Sequence, residues 1–210
     1  MDVLTRIETC QHVRLPRAYR AFAERGYLTH PGDSYLWVHE AEWIPLAEVA
    51  EYEWPSYAQP KQGLVPFAFA GNGDLWCWNS SRMTGLKEPA IVYCPHDCYE
   101  GHWHAPSFIG WLYRLSLEYA SSMWHDEAET KQNVRDWNAL VREFGPAKWA
   151  DDLDEVLARS PFEYEFGPRR MKERGLLTDK ELAARVSRAF GADYVGAPFV
   201  WNSHGDPSGG

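Results

Sequence analysis

The sequence predicts an α+β protein in which a mainly antiparallel sheet has flanking helices and is followed by a C-terminal helical extension. Apolar runs typical of strands follow one another between residues 64 and 104, and the linkers between them suit hairpins but not parallel crossovers. Helical periodicity lies on both sides of this region. At 210 residues, the chain is long enough to bury a substantial core.

The clearest hairpin signal lies at the centre of the predicted sheet. The apolar run 64–70 enters a turn at Asn72-Gly73, and this dipeptide predicts a type I′ turn because both central residues of that turn need positive φ. Beyond the turn, side chains alternate between two faces of the second strand, with Leu75 and Cys77 on one face and Trp76 and Trp78 on the other. One face must be core, and the other meets either a further layer of this protein or a partner.

Other patterns place further elements in residues 1–122, which we predict to form one domain. Helices are expected at residues 2–12, from Pro16 to Gly26, and as a single turn within residues 44–50. Strands are expected at residues 35–38 and 90–94, a strand or loop at 99–104, and a loop from Asn79 to Ser81. Ser107 is a suitable N-cap for the helix that ends this domain.

Residues 123–210 differ from the first domain and are predicted to be a helical extension, which starts after a break in the pattern at residues 123–127. One helix is predicted over residues 127–144, and a shorter one begins at Asp151 or Asp152. Thr178 and Glu181 form a capping box, so the helix that they begin is the best marked in the chain. The tail, residues 203–210, is expected to be mobile.

Charge narrows the choice of partner. The net charge is −9, and both halves of the chain are acidic. This balance argues against nucleic-acid binding, which leaves a basic footprint, and it suits a basic protein partner, although it also simply keeps a protein in solution. Five glutamates between Glu40 and Glu53 occur without a Lys or Arg, and such a run forms either a solvated face or a binding surface.

Hydrophobic segments and aromatic residues bear on where the protein is located and on what its large rings contact. No apolar run approaches the roughly 18 residues of a membrane span, and the first residues lack the apolar stretch of a signal peptide. We therefore expect a cytoplasmic protein with no membrane contact and with reduced thiols. The chain holds 11 Trp, 11 Tyr and 9 Phe, and these rings suit either a heavily packed core or an adhesive surface.

A cluster of cysteine and histidine is the main candidate for catalytic or metal chemistry. Cys94 and Cys98, with His102 and His104 close behind, have the ligand types that zinc prefers. Their spacing fits less well, because His-x-His places both rings on one face only in a strand, and a cysteine that ends an apolar strand is often a small core residue. No general base or nucleophile motif accompanies them. We therefore predict no catalytic residue, no metal and no cofactor, with a metal- or thiol-dependent hydrolase using these four residues as the alternative.

The ordered pieces together resemble the SUKH superfamily, whose members are related to the fungal regulator of cell-wall assembly and glucan synthesis. Each piece alone is weak, but their order and spacing over about residues 12–120 are fairly specific. The pieces are Leu15-Pro16-x-x-Tyr19, Ile44-Pro45-Leu46 with Glu48-Val49, Leu64 to Ala68 through Gly71-Asn72-Gly73-Asp74, Ile91-Val92-Tyr93 with His96-Asp97, and Ala105-x-Ser107-Phe108-x-x-Trp111-Leu112.

The resemblance implies a strongly bent, mainly antiparallel sheet with helices at its ends, and a function without a catalytic centre. Bacterial members of such a superfamily are proposed to be immunity proteins that neutralise polymorphic toxins, whereas fungal members act as signalling scaffolds. The resemblance therefore predicts a protein-binding domain, most concretely a bacterial immunity protein whose partner is a basic toxin domain. We expect partner contacts at Asp74, Trp76, Trp78 and Trp103, although Asp74 can instead accept backbone N–H bonds at the turn and buried rings would not contact a partner.

Overall fold

The computed structural model describes residues 1–56, 58–60, 63–84, 87–123, 126–166 and 171–202. The predicted mobile tail and residues 124–125 of the predicted break lie outside the described residues. In chain order the elements are α1 (Val3–Cys10), α2 (Arg17–Glu24), β1 (Glu42–Trp43), α3 (Leu46–Ala50), β2 (Leu64–Phe69), β3 (Leu75–Met83), β4 (Pro89–Cys94), β5 (Glu100–Ala105), α4 (Phe108–Ser121), α5 (Glu127–Phe144), α6 (Ala147–Leu157), β6 (Phe162–Phe166), β7 (Met171–Gly175), α7 (Asp179–Phe190), a 3-10 turn (Ala192–Tyr194) and β8 (Pro198–Val200).

The sheet topology confirms the predicted α+β class. Six strands form one sheet in the order β1-β2-β3-β4-β5-β8, and β6 and β7 form a second, two-stranded sheet. Every neighbouring pair of strands is antiparallel. Antiparallel neighbours need only short turns, which explains why the linkers of the sequence could predict this class.

The chain divides into two compact units, one formed by residues 1–108 with the described part of 196–210 and the other by residues 109–195. The first unit contains the six-stranded sheet and α1–α3, and the second contains nearly all of α4 together with α5–α7 and the two-stranded sheet. The predicted domain boundary after residue 122 stays a prediction. None of the described helices is long and apolar enough to cross a membrane.

The central hairpin forms where it was predicted, but its turn differs. The Gly73 N–H donates to the Ala70 carbonyl at 3.1 Å, and the Ala70 N–H donates to the Asp74 carbonyl at 2.8 Å. Gly73 has φ of +95°, whereas Asn72 is not among the described residues with positive φ. The predicted type I′ turn is therefore wrong: the loop has one left-handed residue, and the Asn72 side chain accepts from the Asp74 N–H at 3.4 Å.

Two other predictions about the first unit are wrong. Residues 35–38 do not form a strand, because their backbone is held instead by an isolated bridge from Val38 to Ala41 and by a bond from the Leu36 N–H to the Tyr27 carbonyl at 3.0 Å. The predicted loop at Asn79 is also absent, since β3 continues to Met83 through an irregularity in its pairing with β4. A strand irregularity places polar residues inside a strand without ending it.

The second unit contains the predicted helices and one unpredicted hairpin. The capping box of α7 is confirmed, with the Glu181 N–H donating to Thr178 Oγ1 at 3.2 Å and the Thr178 N–H donating to Glu181 Oε2 at 2.9 Å. The helix α6 begins at Ala147, four residues before the earlier predicted start. The hairpin β6-β7 lies against the end of α4 so closely that a Cβ on Gly175 would meet the Ser121 carbonyl oxygen at 1.9 Å.

Candidate partner-binding site

The first unit contains an aspartate-centred network at the end of the central hairpin. Asp74 is 4 % exposed, and its Oδ1 accepts from the His96 backbone N–H at 2.8 Å and lies 2.7 Å from His96 Nδ1. Its Oδ2 accepts from the Tyr93 hydroxyl. The carboxylate thus accepts a backbone N–H as expected, but from the turn that follows β4, so that Asp74 ties two turns of the sheet together.

These hydrogen bonds decide the protonation of Asp74. Burial alone would raise the pKa of the Asp74 carboxyl, but the hydrogen bonds from Tyr93 and His96 outweigh it and hold the pKa below its ordinary value. The pKa of Tyr93 is raised, first by burial and then by the neighbouring carboxylate. Asp74 is therefore an ionised acceptor at neutral pH, and its contacts are structural ones within the unit.

We expect Asp74→Asn to lower the free energy of unfolding by about 1–3 kcal/mol at pH 7, because the amide cannot accept three donors as a carboxylate does. A lowered folded-state pKa stabilises the protein above the ordinary aspartate pKa and loses that contribution as the pH falls through the folded-state pKa. The difference between the natural protein and the variant should therefore shrink as the pH falls below the ordinary pKa of aspartate. Urea unfolding at pH 7 and pH 3 measures it, and a difference that is equal at both values would contradict an ionised Asp74.

The two tryptophans of the central hairpin are core residues of the first unit. Trp78 has no exposed surface, and its ring lies 4.7 Å from that of Tyr19 and is stacked at 4.8 Å on Phe67. Trp76 is 4 % exposed, and its ring lies 4.5 Å from that of His104. A ring with so little surface contacts a partner only if the sheet opens, so burial argues against the predicted partner contacts of these two residues.

Trp76 nevertheless has a role in shaping the surface. Its Nε1–H donates to the Glu40 carbonyl at 2.6 Å, and Glu40 Oε2 accepts from the Gly71 N–H at 3.3 Å. Glu40 has φ of +55°, a conformation that a non-glycine residue adopts only when its surroundings hold it there. The central hairpin thus fixes the start of the acidic segment 40–53.

Trp103 is the predicted contact residue that keeps part of its surface. It is half-buried on β5, with its ring centre 4.4 Å from the Arg82 guanidinium and 5.1 Å from the ring of Phe199. An arginine above an indole face is a favourable cation–π pair. The structure therefore leaves Trp103 available at the surface and already paired with a cation of its own unit.

The cysteine–histidine cluster does not come together. Cys94 is fully buried beside Cys77, and burial raises the pKa of its thiol; Cys98 is exposed, and its thiol donates to the Glu100 carbonyl at 3.0 Å. His102 is stacked on Tyr93 at 5.0 Å. Among the described residues, which include all four members of the cluster, no three His, Cys, Asp or Glu side chains converge as metal ligands would. The metal-dependent form of the hydrolase alternative therefore has no ligand set among the described residues.

A groove in the first unit was not predicted from the sequence. It has a volume of about 630 Å³ and lies at the edge strand β1. Four of its eleven described lining residues are Trp, Tyr or Phe, and Trp37, which is 42 % exposed, is the most accessible of their rings. Its lining includes the aromatic residues Tyr35, Trp37, Trp43 and Phe69, the imidazole of His30 and the carboxylates of Glu42 and Glu48.

Backbone and side-chain hydrogen bonds hold these walls in place. The Trp43 Nε1–H donates to the Leu36 carbonyl at 2.8 Å, which joins β1 to the irregular segment that carries Tyr35 and Trp37. The Ile44 N–H donates to the Phe67 carbonyl at 3.1 Å, which continues the pairing of this segment with β2 beyond β1. The groove is therefore built on the sheet and has a defined shape before any partner binds.

The groove is also acidic. Glu42 and Glu48 are both exposed, and none of the described residues that line the groove is Lys or Arg. Burial raises the pKa of the Tyr35 hydroxyl, and the negative charge of the Glu42 carboxylate raises it further. Residues 27–60 contain six carboxylates and no Lys or Arg, and this charge run, together with Trp37 and Trp43 inside it, is the signal by which the sequence could have indicated the groove.

An all-antiparallel sheet with flanking helices defines an α+β protein, and its first unit contains an open groove lined in part by aromatic side chains. A family model described as SMI1 / KNR4 family (SUKH-1) matches residues 2–114, which is more than half of the chain. The chain therefore belongs to the SMI1/KNR4 family, and the resemblance to the SUKH superfamily is confirmed. Comparison with curated proteins and with solved structures gives no match. Membership of this family fits a protein-interacting domain.

Proposed function

We propose that the chain is a non-enzymatic protein-binding domain that acts in the cytoplasm as an immunity protein and neutralises a bacterial polymorphic toxin. The observation that carries the proposal is the acidic, aromatic groove on a member of the SMI1/KNR4 family. Aromatic rings supply the anchoring contacts of protein interfaces. Carboxylates at the rim attract a basic partner and select its orientation.

Both the shape and the charge of the first unit support binding in preference to catalysis. The groove contains the exposed ring of Trp37 and two exposed carboxylates, whereas the strongest candidate for chemistry, the cysteine–histidine cluster, does not converge among the described residues. Trp103 adds a second half-buried aromatic surface on the same sheet. Of the four predicted contact residues, we retain Trp103 as a partner contact, and Asp74 and Trp76 as residues that hold the surface in shape.

The proposal is tested with the products of the neighbouring genes. We expect a large toxin gene with a variable C-terminal domain beside this one, and we expect cells that make this toxic domain to stop growing unless they also make the chain. The purified pair should form a complex, because neutralisation by occlusion requires binding. A toxin from an unrelated locus serves as the control, and its effect should be unchanged.

Two outcomes would count against the proposal. A chain that neither protects cells from its neighbouring gene products nor binds them would remove the immunity function. Binding without any toxicity of the partner would instead indicate a regulatory scaffold, which retains the protein-binding part of the proposal and removes the immunity part.

A further inference from the structure

We propose that the groove at the edge strand β1 binds a short arginine-containing segment of the partner, with its guanidinium between the exposed ring of Trp37 and the carboxylates of Glu42 and Glu48. This inference rests on the proposed function, because it names the chemistry by which the protein partner is recognised. It requires a fit of size, of charge and of aromatic contact.

The volume of the groove fits a peptide segment. At about 630 Å³ it lies within the roughly 300–1,000 Å³ of pockets that hold ligands of several residues or of drug size. One side chain alone would leave most of that volume unfilled. β1 is the last strand at its side of the sheet, and an extended polypeptide can lie alongside an edge strand.

The charge of the groove selects a cation. Glu42 and Glu48 contribute two exposed carboxylates, and the segment that surrounds them, residues 27–60, has no Lys or Arg of its own. The acidic residue Glu51 differs from them, because Arg6 already pairs with it. The only basic side chains of this segment are the histidines His30 and His39, of which His30 lines the groove. A partner with Lys or Arg would supply the two carboxylates with a permanent cation.

The aromatic walls favour arginine as that cation. A guanidinium is planar and weakly hydrated, stacks on an indole ring and binds a carboxylate with two parallel hydrogen bonds. Trp37 offers the largest accessible ring of the groove, with 42 % of its surface exposed, and Tyr35 lies beside it on the same wall. The same unit already contains such a pair, since the Arg82 guanidinium lies 4.4 Å from the ring centre of Trp103.

The direct test uses a synthetic peptide and the full chain. The probe is an acetylated and amidated peptide with three Gly-Arg-Ser repeats, and its matched control has citrulline in place of each arginine, which keeps the shape and removes the charge. We expect the arginine peptide to bind about tenfold more tightly by isothermal titration calorimetry. Equal affinities of the two peptides would overturn the inference, and so would equally tight binding of free arginine amide, which would indicate a small-molecule site.

Variants locate the peptide. Trp37→Ala should weaken binding about fivefold, and the double variant Glu42→Gln with Glu48→Gln about tenfold. The control is Asp97→Asn with Glu100→Gln, which removes two exposed charges at the turn before β5 and on β5, with three strands between β5 and β1 in the sheet. This control should change affinity less than twofold, and a loss equal to that of the groove variants would show that net charge alone attracts the peptide.

The same variants separate this inference from the proposed function. Thermal unfolding of each variant shows whether it folds, and Trp37→Phe, which keeps a ring, should retain most of the binding that Trp37→Ala loses. If the groove variants bind the toxin and protect cells as well as the natural chain does, the groove inference is wrong and the immunity function stands. If the chain binds the arginine peptide through the groove but protects no cell, the immunity function is wrong and the groove inference stands.

Discussion

Replacing Trp78 with alanine is expected to lower the free energy of unfolding by about 3–5 kcal/mol. Its ring has no exposed surface, and it contacts Tyr19 and Phe67 within an aromatic group that also includes Phe108. Removing it loses the transfer free energy of the ring and leaves a cavity that rigid neighbours cannot fill. Urea unfolding followed by circular dichroism measures the difference.

Trp37→Ala is the matched control for this prediction. The ring of Trp37 lies in the same unit but is 42 % exposed, so its removal should cost less than about 1 kcal/mol. Both variants replace tryptophan with alanine, so the difference in their stability reports the difference in burial between the two rings. If Trp78→Ala were as stable as Trp37→Ala, the ring of Trp78 would not be part of the core, and its originally predicted role as a partner contact would gain support.

The second large effect is expected at Asp152 in the second unit, where Asp152→Ala should lower the free energy of unfolding by about 2–4 kcal/mol. Arg185 is 7 % exposed and donates to the Asp152 carboxylate. Arg188 donates to the same oxygen at 2.7 Å, and the Tyr113 hydroxyl donates to the other oxygen at 2.7 Å. Removing the carboxylate leaves the buried guanidinium of Arg185 with Glu155 as its remaining carboxylate partner. The resulting loss of stability is larger than the net stability that the ion pair contributes.

The neighbouring residue provides the control for Asp152. Asp151 is 66 % exposed and pairs with Arg142 at 3.2 Å, and Asp151→Ala should change stability by less than about 0.5 kcal/mol because exposed pairs contribute little. The double variant Asp152→Leu with Arg185→Met should recover much of the loss, since it removes both charges together. Equal effects of Asp152→Ala and Asp151→Ala in urea unfolding would show that the buried ion pair is not formed.

The network at Asp152 also orients the Tyr113 ring in the aromatic core of the second unit, an arrangement that the sequence did not reveal. Burial raises the pKa of the Tyr113 hydroxyl, and the Asp152 carboxylate raises it further, so that this hydroxyl remains a donor at all ordinary pH values. The Tyr113 ring is stacked at 5.4 Å on Trp149. A polar network therefore orients one edge of an aromatic core, and α4, α6 and α7 contribute to it from positions far apart in the chain.

Errors in the sequence-based prediction follow from tertiary packing. The strand predicted at residues 35–38 has the right composition, but hydrogen bonds to Tyr27 and Trp43 hold it as one wall of the groove. The hairpin β6-β7 was not predicted, although β6 (Phe162–Phe166) alternates aromatic and acidic residues as a half-buried strand does. The partner strand β7 (Met171–Gly175) carries charged residues and lacks this alternation, so the sequence did not mark a second strand for β6, and the hairpin forms against α4.

The sequence by itself determined the class of the fold, the family, the position of the central hairpin and the helix that begins with the Thr178 capping box. These features depend on local periodicity, on turn residues and on short-range hydrogen bonds, all of which are present in the order of residues. Only the tertiary structure decided that Trp76 and Trp78 are buried, that Asp74 bonds to a different turn, and that an open acidic groove lies at β1. The physical reason is that alternation along a strand defines two faces, whereas the layers that cover each face come from residues far away in the chain.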